Sequence, residues 1–526
     1  MNASDVLARS AARVPDRTAL LFRGRPVTYA QLDAAVDRAA AGLAGLGLEP
    51  GDRVAFLVGN VPEFVLSLYG TWRAGAVGVP LNVMLTSAEV GAILADAGAR
   101  AVVVEMTYLP TVLGARDRLP DLAHVLVVAG PPVPPGTMSF EEALADAGDP
   151  PPAGPEGAAD GEGGDGGLAL IQYTSGTTAN PKGAMLTHAN LTANIEQMKA
   201  VPTAVTQDDV VLAVLPLFHI YGLNAILATA LDAGATTLLV ERFDPEETLQ
   251  LVQRHGVTVL PGAPPMFSAW LALSEPSPAA FRSVRLALSG AAPLQPEVQE
   301  GFRDRFGVPL WDSYGLTEAA PAVTTSALGE TPRWGSIGLP LPGVDVRLVD
   351  ERGDDVEEGD PGEIVVRGTN VFLGYWNREE DTRASMFEGG WLRTGDVAVR
   401  DEDGYLYLVD RKKDLVIVSG FNVYPKEVEE VLIRHPGVQE VGVIGIPDPR
   451  TGEAVKAMVV LEPGATATTQ ELADFAATSL ARFKVPREIE VVSQLPRLPT
   501  GKVLRRALRG QEILGGTPEP QEPQGT

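Results

Sequence analysis

Hydrophobic runs and amphipathic stretches alternate along the first part of the chain. Apolar runs at 54–59, 77–81 and 101–105 predict strands. The stretches between them, at 63–74 and 87–97, have helical periodicity. Continuous apolar strands that alternate with helices are typical of a parallel sheet covered on both faces.

A second series of the same kind begins near Val210. Apolar runs at 236–241, 257–260 and 284–290 predict strands, and a helical pattern occupies 245–255. The two series together favour an α/β fold.

One apolar stretch, Leu212 to Leu231, has the length of a membrane span. It contains Pro216, His219 and Asn224 and has no charged flank that suggests an anchor. We therefore predict a buried strand followed by a loop and a helix, and no transmembrane segment.

Turn-forming residues mark the divisions of the remaining chain. The stretch 131–167 is crowded with Pro, Gly, Asp and Glu and is interpreted as a loop or linker. After about Trp334, short runs of β type predict a small β-barrel or antiparallel sheet. From about Asp414 helical and strand patterns mix, and 515–526 is predicted to be disordered.

The composition is that of a soluble globular protein, with 45% hydrophobic and 21% charged residues. A chain of 526 residues is expected to form two or more domains. Its 42 basic and 68 acidic residues give a net charge of −26, which disfavours nucleic-acid binding. The chain has no cysteine, which excludes disulfides, thiolate metal sites and a cysteine nucleophile. Without disulfides or a signal peptide, a cytoplasmic location is expected.

The segment 173–183, YTSGTTANPKG, combines four Ser and Thr hydroxyls with glycines and one lysine. Polyphosphate binding requires short donors, a backbone that can approach closely and a mobile cation. Pro181 before Lys182 and Gly183 after it exclude a P-loop of the GxxxxGK[ST] type. The segment is therefore a candidate phosphate loop, with an ordinary turn as the alternative.

The segment 312–318, DSYGLTE, ends in the carboxylate of Glu318. One carboxylate oxygen could bind Mg²⁺ while phosphates and waters complete the octahedron. A solvated loop over a packed aromatic ring is the alternative.

Three charged residues lie in further turn-like segments. In WLRTGD, Asp396 could accept both hydroxyls of a ribose, and in DRKKD, Arg411 could donate to the same sugar. DRKKD could equally be an exposed helix end or turn. In LPTGK, Lys502 is presented on a Pro/Gly turn, where a lone lysine is usually a solvated surface residue.

Taken together and in this order, these segments resemble the motifs of the adenylate-forming superfamily of acyl-CoA synthetases, firefly luciferases and peptide-synthetase adenylation domains. The resemblance covers nearly the whole chain, including 27–55, RAGAVGVPLN at 73–82 and GEIVVRGTNVFLGYW at 362–376. Ala179 departs from the family pattern, in which glycine is common at that point. Alanine there would stiffen the loop but removes no donor.

The resemblance implies an α/β fold with a large N-terminal adenylation domain, residues 1–410, made of two doubly wound subdomains plus a small β-barrel. It also implies a hinge at 411–413, a small mobile α+β C-terminal domain at 414–510 and a disordered tail at 511–526.

The resemblance further assigns a role to each motif residue. The ATP site would comprise Thr174, Ser175, Gly176, Thr177, Thr178 and Lys182 at the phosphates, Gly290, Ala291, Ala292, Asp312, Ser313, Tyr314 and Gly315 at the adenine, and Asp396 and Arg411 at the ribose. The catalytic group would comprise Lys502 between the substrate carboxylate and the α-phosphate, Glu318 as the Mg²⁺ ligand, Thr317 at the α-phosphate and His219 at the acyl pocket. Lys413 would be the hinge residue, and Ser419, Gly420 and Phe421 would line the CoA channel. For His219, a buried hydrogen-bonded histidine is the alternative.

The implied reaction joins a carboxylic acid to coenzyme A through an acyl-AMP, with ATP, Mg²⁺ and CoA as co-substrates and cofactor. The segment 419–425, SGFNVYP, is similar to the medium- and long-chain fatty acyl-CoA synthetases. The alternatives are an aryl-acid CoA ligase, an acyl-AMP ligase that loads a carrier protein, and a nucleotide-binding homologue without catalysis. A homodimer is compatible with any of these.

Two further patterns bear on the substrates. The apolar segments 219–224, 262–270 and 318–323 carry no cation to pair with a second carboxylate, which favours a monocarboxylic acid. The segment 482–509 holds eight basic and two acidic residues and is a candidate surface for the phosphates of CoA, with an ordinary basic face as the alternative.

Overall fold

The structure is a computed structural model, and it describes residues 2–128, 132–145, 167–174, 181–274, 277–292, 294–411, 416–418, 421–448, 451–480, 482–497, 503 and 507–508. The chain forms two compact units. Unit 1 comprises Met1–Arg347, Val365–Thr394 and Gly404–Leu406, and unit 2 comprises Leu348–Ile364, Gly395–Asp403 and Tyr407–Thr526.

Strands occur in both units. In chain order they are β1 Thr18–Phe22, β2 Arg25–Thr28, β3 Arg53–Leu57, β4 Val77–Pro80, β5 Ala99–Glu105, β6 His124–Val128, β7 Met138–Ser139, β8 Leu168–Thr174, β9 Lys182–Thr187, β10 Val210–Ala213, β11 Thr236–Leu239, β12 Val259–Gly262, β13 Leu286–Ser289, β14 Leu310–Gly315, β15 Ala322–Thr325, β16 Leu339–Pro340, β17 Val344–Val349, β18 Gly362–Gly368, β19 Gly374–Tyr375, β20 Met386–Phe387, β21 Trp391–Arg400, β22 Leu406–Arg411, β23 Val416–Val418, β24 Phe421–Val423, β25 Val438–Asp448, β26 Gly452–Leu461 and β27 Glu488–Val491.

Helices separate many of these strands. They are α1 Asp5–Arg13, α2 Tyr29–Gly45, α3 Pro62–Arg73, α4 Ser87–Ala97, α5 Leu109–Leu113, α6 Phe140–Ala145, α7 His188–Lys199, α8 Thr229–Ala233, α9 Pro245–His255, α10 Pro264–Ala272, α11 Pro296–Phe306, α12 Glu379–Ala384, α13 Pro425–Leu432 and α14 Thr469–Ala477. A π-helical segment, Tyr221–Ala228, precedes α8. Among the residues that the structure describes, none of the helices has the length and apolar character needed to cross a membrane.

Within its described part, unit 1 contains two mixed sheets. One has the strand order β19-β9-β8-β4-β3-β5-β6-β7 and the other β16-β15-β14-β13-β12-β10-β11-β1-β2. Their central strands are parallel, as in the pairs β3–β4, β3–β5, β12–β13 and β13–β14. The prediction of an α/β fold with two parallel-stranded series is therefore confirmed.

The first of these sheets is buried on both faces. Val102, Val103 and Val104 of β5 are all fully buried. Val102 and Val104 share a core cluster with Ile93 and Leu94 of α4. This explains why the strand is apolar without alternation.

Unit 2 contains a sheet of order β24-β23-β26-β25, with β27 added parallel to β26. Its core includes Val428 and Leu432 of α13 and Leu472 of α14. The mixture of helices and strands predicted for this part of the chain is confirmed.

The linker predicted for 131–167 is wrong in one place. Residues 138–145 form β7 and α6, and β7 pairs with β6 as the edge strand of the sheet. Phe140 is 2% exposed, so its burial outweighs the turn-rich surroundings that suggested a loop. Residues 146–166 and the tail 511–526 lie outside the described residues.

Candidate active site

The β8–β9 hairpin carries the candidate phosphate loop. Thr174, the last residue of β8, is paired with Lys182, the first residue of β9. The antiparallel pairing therefore holds the two ends of the loop side by side. Ser175, Gly176, Thr177 and Thr178 lie outside the described residues, so their proposed contacts with phosphate stay predictions.

The Lys182 side chain contacts two residues far along the chain. Its Nζ lies 2.6 Å from Oδ1 of Asp381 and 5.2 Å from the centre of the Tyr375 ring. The ion pair is partly exposed, with 26% of the lysine side chain and 38% of the aspartate side chain accessible. A polyphosphate could therefore replace the carboxylate, because a solvated ion pair is only weakly stabilising.

The predicted adenine residues meet at the ends of two parallel strands. Ser289 at the end of β13 is paired with Asp312 of β14, so Gly290–Ala292 follow β13 at the edge where Ser313–Gly315 end β14. In open α/β sheets this carboxyl edge is where ligands bind. Asp312 is buried, and its Oδ1 accepts the backbone N–H of Ser313 at 2.9 Å.

Gly290 is in close contact with Tyr221 of the π-helical segment. A Cβ at position 290 would lie 3.0 Å from Cε1 of Tyr221, so a side chain there would require the ring to move. The Tyr221 hydroxyl is buried and has no hydrogen-bond partner among the described residues, and the same holds for the hydroxyl of Ser289. Buried hydroxyls without partners are rare in folded proteins and indicate a place where a ligand's polar atoms can bind. Neither residue was predicted from the sequence to belong to the site.

Glu318 lies on a short 3₁₀ turn, Thr317–Ala319. Three consecutive carbonyl oxygens of this turn accept hydrogen bonds from distant residues: Glu318 O from Phe372 N–H at 2.9 Å, Ala319 O from Asn370 Nδ2 at 2.8 Å, and Ala320 O from Asn224 Nδ2 at 2.7 Å. Both asparagines are fully buried. The backbone that carries Glu318 is therefore fixed by tertiary contacts with residues that no local sequence pattern predicts.

The Glu318 carboxylate accepts the hydroxyl of Tyr375 on Oε1 at 2.7 Å. Burial and then the Glu318 charge raise the pKa of Tyr375 well above its usual value of 10, so it is a neutral phenol and a donor. Among the described residues, Oε2 of Glu318 has no hydrogen-bond partner. A half-buried carboxylate with one oxygen available fits Mg²⁺, which takes one or two carboxylates and completes its octahedron with waters and phosphates.

His219 lies just before the π-helical segment. Its Nδ1 accepts the backbone N–H of Tyr221 at 3.3 Å. Burial lowers the pKa of His219 from 6.5 to about 4, so the imidazole is neutral near pH 7. A neutral ring can line an apolar pocket without adding charge, and the prediction for His219 stands beside its alternative of a buried, hydrogen-bonded histidine.

The remaining predicted residues belong to unit 2. Asp396 is a buried residue of β21, Arg411 is the last residue of β22, and Phe421 is the first residue of β24. Only the backbone of Arg411 and Phe421 is described. Lys413, Ser419, Gly420 and Lys502 lie outside the described residues, so the ribose, hinge, CoA-channel and catalytic-lysine assignments stay predictions.

Comparison with known proteins covers nearly the whole chain. Residues 7–376 match the AMP-binding enzyme family, and residues 427–502 match the AMP-binding enzyme C-terminal domain. The long-chain-fatty-acid–CoA ligase of Bacillus subtilis is 36% identical over 535 residues, which is 96% of this chain and 94% of that protein. The feruloyl-CoA synthase of an Amycolatopsis species is 40% identical over 503 residues, which is 95% of this chain and 97% of that protein.

A solved structure with the same fold contains an acyl-AMP. It is the anthranilate CoA ligase AuaEII in complex with anthranoyl-AMP, with a TM-score of 0.88, 31% identity and coverage of 98% of each chain.

Proposed function

The chain belongs to the AMP-binding enzyme family, and we propose that it activates a monocarboxylic acid with ATP and transfers the acyl group to coenzyme A. The observation that supports this function most directly is that one short segment of unit 1 contacts two parts of the candidate ATP site. Segment 372–376 donates Phe372 N–H to Glu318 O at 2.9 Å and Trp376 N–H to Gly183 O at 2.8 Å. The candidate metal carboxylate and the candidate phosphate loop are therefore both held by the short segment that contains β19.

The chemistry follows from the poor reactivity of a carboxylate. Oxide would have to leave if a thiol attacked the free acid, so the acid first attacks the α-phosphate of ATP, and pyrophosphate leaves. The resulting acyl-AMP is a mixed anhydride, and AMP leaves when the CoA thiol attacks the acyl carbon. No nucleophile of the protein is needed, which agrees with a chain that has no cysteine. The protein has to position two anions and stabilise the charge on the phosphate.

The residue assignments divide this work. Thr174, Lys182 and the loop between them would hold the outer phosphates, and Thr317 the α-phosphate. Glu318 would hold Mg²⁺, which when bound neutralises charge on the transferring phosphates. Asp396 and Arg411 would hold the ribose, and Lys502 would bridge the carboxylate and the α-phosphate.

Two classes of acid are candidates. A fatty acid is favoured by the SGFNVYP segment at 419–425 and by similarity to long-chain-fatty-acid–CoA ligases. A hydroxylated aryl acid is favoured by the buried Tyr221 hydroxyl without a described partner, which could bind a phenol group, and by similarity to feruloyl-CoA synthase. Either class has a single carboxylate. We also propose a cytoplasmic location, because the chain has no cysteine for disulfides.

The test is pyrophosphate release by the purified protein with ATP, Mg²⁺ and a panel of acids, with and without CoA. We expect dodecanoate, octanoate or ferulate to have a higher kcat/KM than malonate or succinate, and CoA to yield the thioester. The proposal fails if no acid releases pyrophosphate or if a dicarboxylate is preferred. A carrier protein with a pantetheine arm, offered in place of CoA, separates the carrier-loading alternative.

A further inference from the structure

Tyr375 lies between the two charged groups that would bind Mg²⁺ and the phosphates of ATP. Its hydroxyl donates to Oε1 of Glu318 at 2.7 Å, and the Nζ of Lys182 is 5.2 Å from the centre of its ring. The three side chains therefore form one connected group, although 57 residues separate Glu318 from Tyr375 in the chain.

Contacts of both its backbone and its ring fix the position of Tyr375. Tyr375 is paired with Ala184 in the β9–β19 ladder, which places it beside Lys182 at the start of β9. Its own N–H donates to Oγ1 of Thr382 at 2.8 Å, and its ring packs edge-on against Phe372, 4.9 Å away. A side chain held at the backbone and at the ring has little freedom to leave the carboxylate.

A metal ligand works best when its orientation is fixed. A carboxylate on a half-buried turn can rotate about its last torsion, and rotation would move the oxygen that faces the metal. A hydrogen bond to Oε1 holds the carboxylate plane and leaves Oε2 for the metal. Such outer contacts commonly account for a large share of metal affinity.

We propose that Tyr375 is a positioning residue for Mg²⁺–ATP, which holds the Glu318 carboxylate through its hydroxyl so that the second oxygen is aimed at the metal. This inference rests on the proposed function. The aromatic ring has a separate task, because it supports the Lys182 ammonium when that group exchanges Asp381 for a phosphate.

The variant Tyr375→Phe isolates the hydroxyl, since it keeps the ring and its contacts with Lys182 and Phe372. Binding of ATP is measured by isothermal titration calorimetry without acid or CoA, in EDTA and over a series of Mg²⁺ concentrations. We expect the Kd for ATP in EDTA to stay within about twofold of wild type. The Mg²⁺ concentration that half-saturates the effect on ATP binding should rise about 10- to 100-fold. Mn²⁺ binding in the presence of ATP, followed by electron paramagnetic resonance, should weaken in parallel.

Tyr407→Phe is a matched control. Tyr407 donates to Oδ2 of Asp401 at 3.1 Å, so this variant also loses a phenol–carboxylate hydrogen bond, but in unit 2. It should leave the Mg²⁺ dependence unchanged. Tyr375→Leu, which removes the ring as well, should also weaken ATP binding in EDTA.

A double-mutant cycle separates positioning from general damage. In a Glu318→Gln background, Tyr375→Phe should have no further effect on the Mg²⁺ dependence, because the carboxylate it orients is already gone. An unchanged Mg²⁺ dependence in Tyr375→Phe, or an equal additional loss in the Glu318→Gln background, would overturn the inference. If the wild-type protein itself bound ATP without any response to Mg²⁺, the proposed function would fail, and this inference with it.

Discussion

Asn224 donates from Nδ2 to the carbonyl oxygen of Ala320 at 2.7 Å and to that of Leu191 at 3.1 Å. It thereby connects the π-helical segment that follows His219 to the turn that carries Glu318. The Oδ1 atom of the same amide is buried and has no partner among the described residues. The side chain is therefore important for its donors, above all for the one that pairs the buried Ala320 carbonyl.

Asn224→Leu should destabilise the protein and slow adenylation together. The substitution keeps the branched shape of the side chain but leaves the buried Ala320 carbonyl without this donor, at about 1–3 kcal/mol for an unsatisfied buried group. The Leu191 carbonyl loses its second donor but stays within the hydrogen-bonded helix α7. The measurements are urea unfolding and pyrophosphate release. The control is Thr237→Val, which removes a buried hydroxyl without a described partner and should be neutral or slightly stabilising. Equal stability of Asn224→Leu and wild type would contradict this role.

Glu318→Gln should weaken Mg²⁺–ATP binding without unfolding the protein. The amide retains an oxygen that can accept the Tyr375 hydroxyl, so the local contact survives while the charge is lost. We expect slower pyrophosphate release at limiting Mg²⁺ and a thermal midpoint near that of wild type. Unchanged release at limiting Mg²⁺ would remove Glu318 from the metal site.

Tyr221→Phe tests which acid the pocket accepts. If the Tyr221 hydroxyl binds a phenol group of the substrate, the variant should lower kcat/KM for a 4-hydroxyaryl acid by about tenfold and leave the unsubstituted aryl acid unaffected, since one buried hydrogen bond of about 1 kcal/mol or more is lost. For a fatty acid the variant should be as active as wild type. An equal loss with all acids would show that the hydroxyl does not select the substrate.

Stability should fall in weak acid because of His188. Its Nδ1 accepts the N–H of Ala3 at 3.0 Å, and burial lowers its pKa from 6.5 to about 4. The unfolded chain therefore takes up a proton first as pH falls, so stability is complete above about pH 6.5 and is lost between pH 6.5 and pH 4, by roughly 3 kcal/mol at most.

The measurement is the free energy of unfolding in urea at several pH values. His188→Asn keeps an acceptor for Ala3 without a titrating group, so its slope between pH 6.5 and pH 4 should be smaller than that of wild type. His255→Asn is a suitable comparison, because His255 is only half-buried at the end of α9. Burial also lowers the pKa of His255, so this variant should reduce the slope as well, but less than His188→Asn. Identical slopes for His188→Asn and wild type would contradict the prediction.

Lys502→Ala and Lys413→Pro should separate the two half-reactions. The family resemblance places Lys502 at the α-phosphate during adenylation and Lys413 at a hinge that rebuilds the site for CoA. Lys502→Ala should slow adenylation by about 10²–10³-fold, by analogy with a lost oxyanion donor, and spare thioester formation from supplied acyl-AMP. Lys413→Pro should retain adenylation and lose transfer to CoA, since proline fixes φ near −65°. Equal loss of both half-reactions in both folded variants would contradict a two-pose mechanism.

Local signals were sufficient to predict several elements of the fold. The helix predicted at 87–97 is α4, which begins at a Thr86–Glu89 capping box and ends at Gly98 with a φ of 61°. The helix predicted at 245–255 is α9, which has Asp244 as its N-cap and ends at Gly256, also with a φ of 61°. These bounds depend on residues within one turn of the helix end, so they can be read without the fold.

At residues 138–145 the prediction from local composition was wrong. The stretch 131–167 is rich in Pro and Gly, and a loop was therefore predicted for it. It nevertheless contains a two-residue strand and a helix, which are stabilised by residues distant in the sequence. A Cβ at Gly42 of α2 would lie 2.5 Å from the carbonyl oxygen of Ala143, which shows how closely α6 packs on that helix. The sequence around 138–145 does not indicate that β7 pairs with β6 or that α6 packs against α2.

The sequence by itself determined much of the strand and helix pattern, the candidate phosphate loop at 173–183 and the motif that ends in Glu318. Only the tertiary structure decided three contacts. Tyr375 donates a hydrogen bond to Glu318, Lys182 forms an ion pair with Asp381, and Asn224 and Asn370 donate to carbonyl oxygens of the turn that carries Glu318. The periodicity of apolar residues and the helix caps involve residues a few positions apart, so the local sequence is enough to predict them. The contacts depend on strand order and register, which bring together residues as far apart as Lys182 and Asp381, 199 positions along the chain.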